Sequence, residues 1–456
     1  MNSFPRFIRF AYSPNNTFEG IVEGVGVAGL YLCALGTWLS TAVQNIGLAL
    51  VILTFIVDRR AWRWVLSIPV FWLCGIIAAY ALTRGHFAAA EFPTTAELQL
   101  KFTERWFKLT LFVPIAWYLW CDPKRIPRTL ILCGLGLLIG TLASLNPETL
   151  KAIFNGVRYG GHLKKPIAYA FYISVCLLGV TVLAPRWLSR PNDSRAAYWA
   201  KNTGTGILIA ALTWLFLATQ SRGPLFALAC VLPIAIAIRY WPQRRKTPEA
   251  DHHVWHIVIG IGLAVALLGA SSANMLVKRI SAELPSAELV LSENLSQLPR
   301  NNTTLRLQMW KFGLEKWSER PWFGWGPGST QYILSTGNDP ALRNDVGEYW
   351  DHLHNAYIQT LFSFGIVGFG LAGSLIALLC LGVIQRYREG ELHRDYAIFL
   401  LGNFSLIALY SLTDFRHLNH DWSSYWLILA AITLASGTTG NRNRLSAKSH
   451  VDGAVS

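Results

Sequence analysis

The stretch Asp351-His352-Leu353-His354-Asn355-Ala356-Tyr357-Ile358-Gln359 places two imidazoles, two amides and a carboxylate where a polar interval hands over to an apolar run, Thr360 to Gly382. Imidazole titrates close to neutrality, so a neutral histidine can take a proton from a hydroxyl near pH 7. His354 falls close to the start of the helix that the apolar run predicts. The positive end of the helix dipole disfavours the imidazolium there and keeps a neutral base available. The bland alternative is a histidine that merely ends a helix at an interface. His352-x-His354 together with His417 and His420 offers zinc ligation instead, but that chemistry asks for an ordering second layer and usually a third close ligand. A site without metal is the expectation. Asp414, at the outer end of the eleventh apolar run, can either orient an imidazole or pair with Arg416.

Cations supply the second kind of chemistry. Arg222 lies in the tight turn Thr219-Gln220-Ser221-Arg222-Gly223-Pro224 with no acid nearby in sequence. It can snorkel to lipid headgroups. It can also hold an anion, because a guanidinium fork beside a helix N-terminus suits phosphate oxygens. Arg306 is the second candidate, with Lys311 and Lys316 following it and Lys278 and Arg279 at the start of the same polar interval. Most of these are solvated cations. Arg306, and after it Lys311 and Arg279, are the ones to associate with a lipid-linked phosphate or diphosphate.

The elements that must position these groups are membrane helices. Of 456 residues, 52% are apolar and 14% charged, and 19 are tryptophan; the mean hydropathy is +0.34. That is far too apolar for a soluble domain of this size. A net charge of +14 raises the question of nucleic acid, but the basic residues form short clusters between apolar runs, where membrane topology puts them. No nucleic-acid partner is expected; membrane lipids are. The cysteines (Cys33, Cys74, Cys121, Cys133, Cys176, Cys230, Cys380) all lie in or beside apolar runs, which argues against a disulfide framework or a cysteine metal site. No cleavable signal peptide is expected, since the first apolar run begins near Ile21 and leads directly into others.

Runs of about 17 to 25 apolar residues suffice to span, and about twelve are counted on that criterion. They lie near 20–38, 40–57, 62–82, 104–120, 129–146, 166–185, 203–219, 224–241, 254–277, 357–385, 395–412 and 423–437. The expected class is therefore all-α, a polytopic membrane protein. With the N-terminus inside, every inner connection carries at least two basic residues, among them Arg59, Arg60 and Arg63, then Lys124, Arg125 and Arg128, then Arg386, Arg388 and Arg394. The positive-inside rule thus places both termini on the cytoplasmic side.

The outer side is then short loops, 83–103 and 146–165 among them, plus one long polar segment, 278–356. A loop that long within a membrane bundle usually folds over something or does chemistry. Inside it, 304–319 has apolar residues near helical spacing and predicts a membrane-facing amphipathic helix. Pro321-Trp322-Phe323-Gly324-Trp325-Gly326-Pro327-Gly328 ends that helix with a turn-rich run. The organisation expected is 1–277 as nine spans, 278–356 as the long loop with its helices, 357–438 as the last three spans and 439–456 as a disordered cytoplasmic tail.

With these residues in place the chain resembles the bacterial O-antigen ligase family, part of a superfamily that also holds O-antigen polymerases and protein O-oligosaccharyltransferases. His354-Asn355, nine residues, Gly365, two residues, Gly368 matches the family's His-Asn…Gly-x-x-Gly signature. Ser221-Arg222-Gly223 at an outer turn and Arg306 followed by the 321–328 run add to it. The resemblance implies a twelve-span inner-membrane glycosyltransferase, working on the periplasmic face without metal, cofactor or nucleotide sugar. Its substrates would be undecaprenyl-diphosphate-linked O-antigen as donor and lipid A core as acceptor. It implies that Arg222 and Arg306 grip the diphosphate and that His354 is the base of one inverting displacement. Asn355, Gln359, Lys311 and Asp414 would orient groups or touch substrate. The chain shows no large soluble C-terminal domain, which leans away from the protein-glycosylating relatives. A transporter of the lipid-linked glycan is the rival from another class, but it would carry ionisable residues within its spans and a repeat or broken helices in matching halves.

Overall fold

Charge-poor runs satisfy their backbone polar groups within themselves, and here they do so as helices. The computed structural model describes residues 17–188, 194–240, 302–337, 342–343 and 347–437. Among these the regular elements are helical, and the β pairing is a single bridge between Arg343 and Tyr349. The expected span at 254–277, Arg279 and the 439–456 tail lie outside the described residues.

In chain order the helices are α1 (Thr17–Leu39), α2 (Thr41–Val57), α3 (Arg59–Val65), α4 (Pro69–Glu91), α5 (Ala96–Lys108), α6 (Phe112–Cys121), α7 (Arg125–Ser144), α8 (Pro147–Phe154), α9 (Pro166–Leu183), α10 (Pro185–Leu188), α11 (Arg195–Ala218) and α12 (Arg222–Tyr240). After the gap come α13 (Asn302–Glu319), α14 (Thr330–Thr336), α15 (Ala356–Arg388), α16 (Arg394–Ser411) and α17 (His420–Gly437).

Six described helices are long and apolar enough to cross a membrane, or seven if α2 and α3, bent by 88° at Asp58, count as one span. Of the twelve expected runs, 254–277 lies outside the described residues, and those at 203–219, 395–412 and 423–437 are helices (α11, α16 and α17) that are not among the six. Two further runs are divided differently from the expectation. The run at 62–82 is interrupted: Asp58 caps α3 through Arg60 N, 3.0 Å away, and Pro69 restarts the helix as α4. Helix α4 then continues to Glu91 through what reads as the outer loop 83–103, since Ala-rich sequence favours helix. The run at 104–120 is split between amphipathic α5 and apolar α6 by a turn at Leu109–Leu111.

The core gathers on α17, almost wholly buried from Trp422 to Ala435. Aromatic rings from neighbouring helices close on it: Phe171 lies 5.2 Å and Tyr410 5.9 Å from the Trp422 ring. Outward, α7 exposes Ile131, Leu135, Leu138, Ile139 and Leu142, the surface a lipid-facing helix presents. At the end assigned to the cytoplasm, ion pairs tie the connections together. Arg60 meets Asp58 at 2.7 Å, Arg125 meets Glu23 at 2.5 Å, and Arg186 meets Asp395 at 2.5 Å.

At the other end, α15 is broken at Gly365 (φ 62°, ψ −168°), and the turn-rich run 321–328 fills the break. Trp325 N donates to Phe362 O (2.8 Å), Gly326 N to Ser363 O (2.9 Å) and Ile366 N to Pro321 O (2.8 Å). Arg84 braces this run by donating to Phe323 O (3.0 Å) and Gly324 O (2.7 Å). Arg320 pairs with Glu91 at 2.5 Å and covers the Trp325 ring at 4.0 Å. The apolar face of α13 is also turned inward, contrary to the membrane-facing expectation. Met309, with Leu305 and Phe312, packs into a cluster with Ile333, Leu334, Leu353 and Phe362, so that helix lies against the protein.

Candidate active site

Four groups of contacts bring His354 to the N-terminus of α15. Leu353 is fully buried, and its N–H donates to Gln359 Oε1 at 2.9 Å. Gln359 Nε2 donates in turn to Thr330 Oγ1 (2.8 Å) and Ser363 Oγ (3.0 Å), so this buried amide joins the loop, α14 and α15. Asn355 caps α15, its Oδ1 accepting from Tyr357 N (3.0 Å) and Ile358 N (3.1 Å), while Nδ2 donates to Leu412 O (3.1 Å). Between these anchors His354 adopts φ 52°, a left-handed conformation uncommon outside glycine and asparagine.

The imidazole so held lies with its Nδ1 3.8 Å from Asp414 Oδ1. That is ion-pair range and longer than a hydrogen bond, and Nδ1 is buried without a hydrogen-bond partner. The rings of Trp350 and His352 stand 4.6 and 4.3 Å away. Burial is the largest influence on His354 and lowers its pKa below the ordinary histidine value; Asp414 opposes this, while His352 and Arg306 reinforce it. The result is an imidazole that is neutral at pH 7. For Asp414, burial alone would raise the pKa. His354 and the Tyr410 hydroxyl, which donates to Oδ2 at 2.6 Å, outweigh burial and hold the carboxyl well below its usual range. Asp414 Oδ1 also accepts from Phe415 N at 2.9 Å. Its partner is therefore not Arg416, which pairs with Asp421 at 2.8 Å.

The loop carrying Asp414 is the meeting point of the site. Asn355 holds Leu412, and Gly223, the neighbour of Arg222, sits so close to Thr413 that an added Cβ would collide with its hydroxyl. This contact sets the Arg222 turn beside the Asp414 loop. Arg306 reaches the same region from α13, close enough for its charge to act on His354. Lys311 does not join them: its side chain is 61% exposed and 3.9 Å from Glu315, one turn along α13.

One residue that sequence reasoning passed over belongs to this group. Arg158 donates from Nε to Thr219 O (3.1 Å) and from Nη2 to Ser221 Oγ (3.1 Å), clamping the turn from which α12 and Arg222 depart. Its charge in the expected outer loop 146–165 was a signal, but one it shares with Lys151, Lys164 and Lys165.

A metal could be held at one place only among the described residues: His352, His354 and Asp414 offer ligand atoms within 4.8 Å of one another. Ligands around tetrahedral zinc stand roughly 3.4 Å apart at ordinary Zn–N and Zn–O distances, so these groups would have to draw together. His352 Nδ1 would also have to keep or leave Asp351 Oδ1, 2.6 Å away. His417 and His420 take no part. His417 lies against the Phe415 and Trp422 rings, and burial lowers its pKa to about 4.

Residues 207–373 match the family model described as O-antigen ligase. The stretch includes Arg222, Arg306, His354, Gly365 and Gly368; Arg158 and Asp414 fall outside it. None of the curated proteins matches the chain.

Proposed function

Starting from an O-antigen ligase domain across residues 207–373, we propose that the chain is the ligase itself. It transfers O-antigen polysaccharide from undecaprenyl diphosphate to the lipid A core, on the periplasmic face of the bacterial inner membrane. One observation carries this reading: a neutral, partly buried imidazole, 14% exposed, stands at the N-terminus of α15 with an ionised carboxylate behind its Nδ1.

With Nδ1 directed to Asp414, Nε2 faces the acceptor. The acceptor oxygen attacks the anomeric carbon from the side opposite the diphosphate, and its proton passes to His354 Nε2. The bond from the anomeric carbon to the diphosphate oxygen breaks, inverting the centre, and Asp414 stabilises the imidazolium that forms. Arg222 and Arg306 balance the charge gathering on the departing diphosphate, and need no metal to do so. Asn355 and Gln359 keep the imidazole in register. Lys311 is a contact for the lipid-linked donor further from the reacting atoms, and Arg279, outside the described residues, is a second basic contact for the same donor.

The test is transfer by the purified chain, given lipid-linked polysaccharide and lipid A core, with chelator present and no added metal. The expected product is glycan on the core, and His354→Ala should reduce its formation at least 10³-fold without removing the protein from the membrane. Two results separate the neighbouring readings. Lengthening of the donor glycan when core is absent identifies a polymerase. Loss of activity to chelator identifies a metal enzyme built on His352, His354 and Asp414, the second reading, to which their approach within 4.8 Å of one another points.

A further inference from the structure

A cleft of about 350 Å³ opens between α5 and the segment just before His354, at the lower end of the size range of small-ligand sites. Its walls combine three chemistries. Lys101 and Arg105 come from one face of α5, four residues apart. The rings of Tyr349 and Trp350 supply apolar faces, while Gln331 supplies an amide and Glu348 and Asp351 two carboxylates, so that Lys101 and Arg105 form the cationic side of a cleft with an acidic side opposite in sign. Flat aromatic faces suit the C–H faces of sugar rings, amides and carboxylates suit their hydroxyls, and the cations suit a phosphate or carboxylate carried on the sugar.

The walls are held in place before any ligand arrives. Gln331 Nε2 donates to Tyr349 O (3.0 Å), and the Arg343 guanidinium lies 4.9 Å over the Tyr349 ring while donating to its hydroxyl (3.3 Å). On the opposite side, Gly328 N donates to Gln99 Oε1 (2.8 Å), joining the 321–328 run to α5. The cleft also adjoins the proposed base. Trp350 lines it and meets the His354 ring edge-on at 4.6 Å. Asp351 lines it and contacts His352.

We propose that this cleft is the acceptor subsite and that Lys101 and Arg105 select an anionic, phosphorylated oligosaccharide there. The inference rests on the transferase reading, whose acceptor it places. A sugar seated against Trp350 would have its hydroxyl beside His354, while the donor approaches from the Arg222 side of the same loop.

The probe is de-acylated lipid A core oligosaccharide, with a phosphatase-treated sample as comparison, titrated against the full chain in detergent micelles. Wild type should bind the phosphorylated sample at least 10-fold more tightly than the treated one. The double variant Lys101→Glu, Arg105→Glu should abolish that difference, and in the transfer assay raise KM for the core at least 10-fold while leaving KM for the donor unchanged. Tyr349→Ala should weaken both samples about equally. Thermal midpoints of the variants, altered at partly exposed positions, confirm folding. Unchanged core binding and unchanged core KM in the folded double variant would overturn the proposal while leaving the transferase reading intact. Binding that depends on Lys101 and Arg105, retained in His354→Ala, but with no transfer by wild type, would uphold the cleft and overturn the transferase reading.

Discussion

His354 Nδ1 lies 3.8 Å from Asp414 Oδ1, buried and without a hydrogen-bond partner of its own. Removing the carboxylate's charge tests what that approach does. Asp414→Asn keeps an oxygen for the Tyr410 hydroxyl but loses the charge that opposes burial at His354, so the imidazole pKa falls further. The acid limb of kcat/KM, already below pH 6.5 because burial lowers His354, should move to lower pH. The plateau should drop about 10²-fold, since the imidazolium formed in the reaction loses its counter-charge. A pH profile of transfer reads both effects; an unshifted limb would show that Asp414 does not act through His354.

Stability should also depend on pH through His417, whose pKa is lowered by burial to about 4 from an ordinary 6.5. The unfolded chain binds a proton there at higher pH than the folded one. The contribution is therefore complete above about pH 6.5 and is lost as pH falls towards 4, with a value on the order of 2 kcal/mol across that window. The thermal midpoint of the purified protein should decline between pH 6.5 and 4.5, and His417→Phe should flatten the decline. A midpoint as steep in the variant would assign the acid sensitivity to other groups.

Sequence reading placed His354 and Asn355 beside a helix start but did not place the boundaries of the helices around them. His354 and Asn355 were legible because the polar-to-apolar switch marks a helix start, and the cap geometry of Asn355 follows from its residue type. Helix boundaries at 62–82 and 104–120 were not legible. A hydropathy window sees neither Pro69 restarting a helix nor Arg84 bonded to carbonyls of a run 240 residues away. Asp414 was left between two partners because its choice depends on where Asp421 places Arg416, a matter of tertiary packing. The break in α15 was hidden for the same reason: its polar groups are satisfied by residues 321–326, which no local pattern in α15 announces.

That break makes the signature glycine testable. Gly365 combines φ 62° with the backbone of Trp322 lying where a Cβ would be. Gly365→Ala should cost about 1–2 kcal/mol for the left-handed backbone, with more added for displacing Trp322. Expression and the thermal midpoint should fall, and transfer with them. Gly373→Ala, in the same helix with open space around it, should be neutral or slightly stabilising. Equal midpoints for the two variants would mean that α15 can close its break without loss.

Asn355 offers the complementary test of how the imidazole is held. Asn355→Ala removes the α15 cap, worth about 1 kcal/mol, and leaves Leu412 O without its donor, which costs roughly 1–3 kcal/mol if the carbonyl stays dry. Both losses free the loop that sets His354 against Asp414, so kcat should fall more than KM rises. Asn355→Asp keeps the acceptor for Tyr357 N and Ile358 N, and its charge suits a helix N-terminus. It loses the bond to Leu412 and adds a carboxylate next to the imidazole. That negative charge favours the imidazolium, so the acid limb of the pH profile should shift upward, opposite in direction to Asp414→Asn. Profiles of the two variants displaced the same way would remove His354 as the group that titrates on that limb.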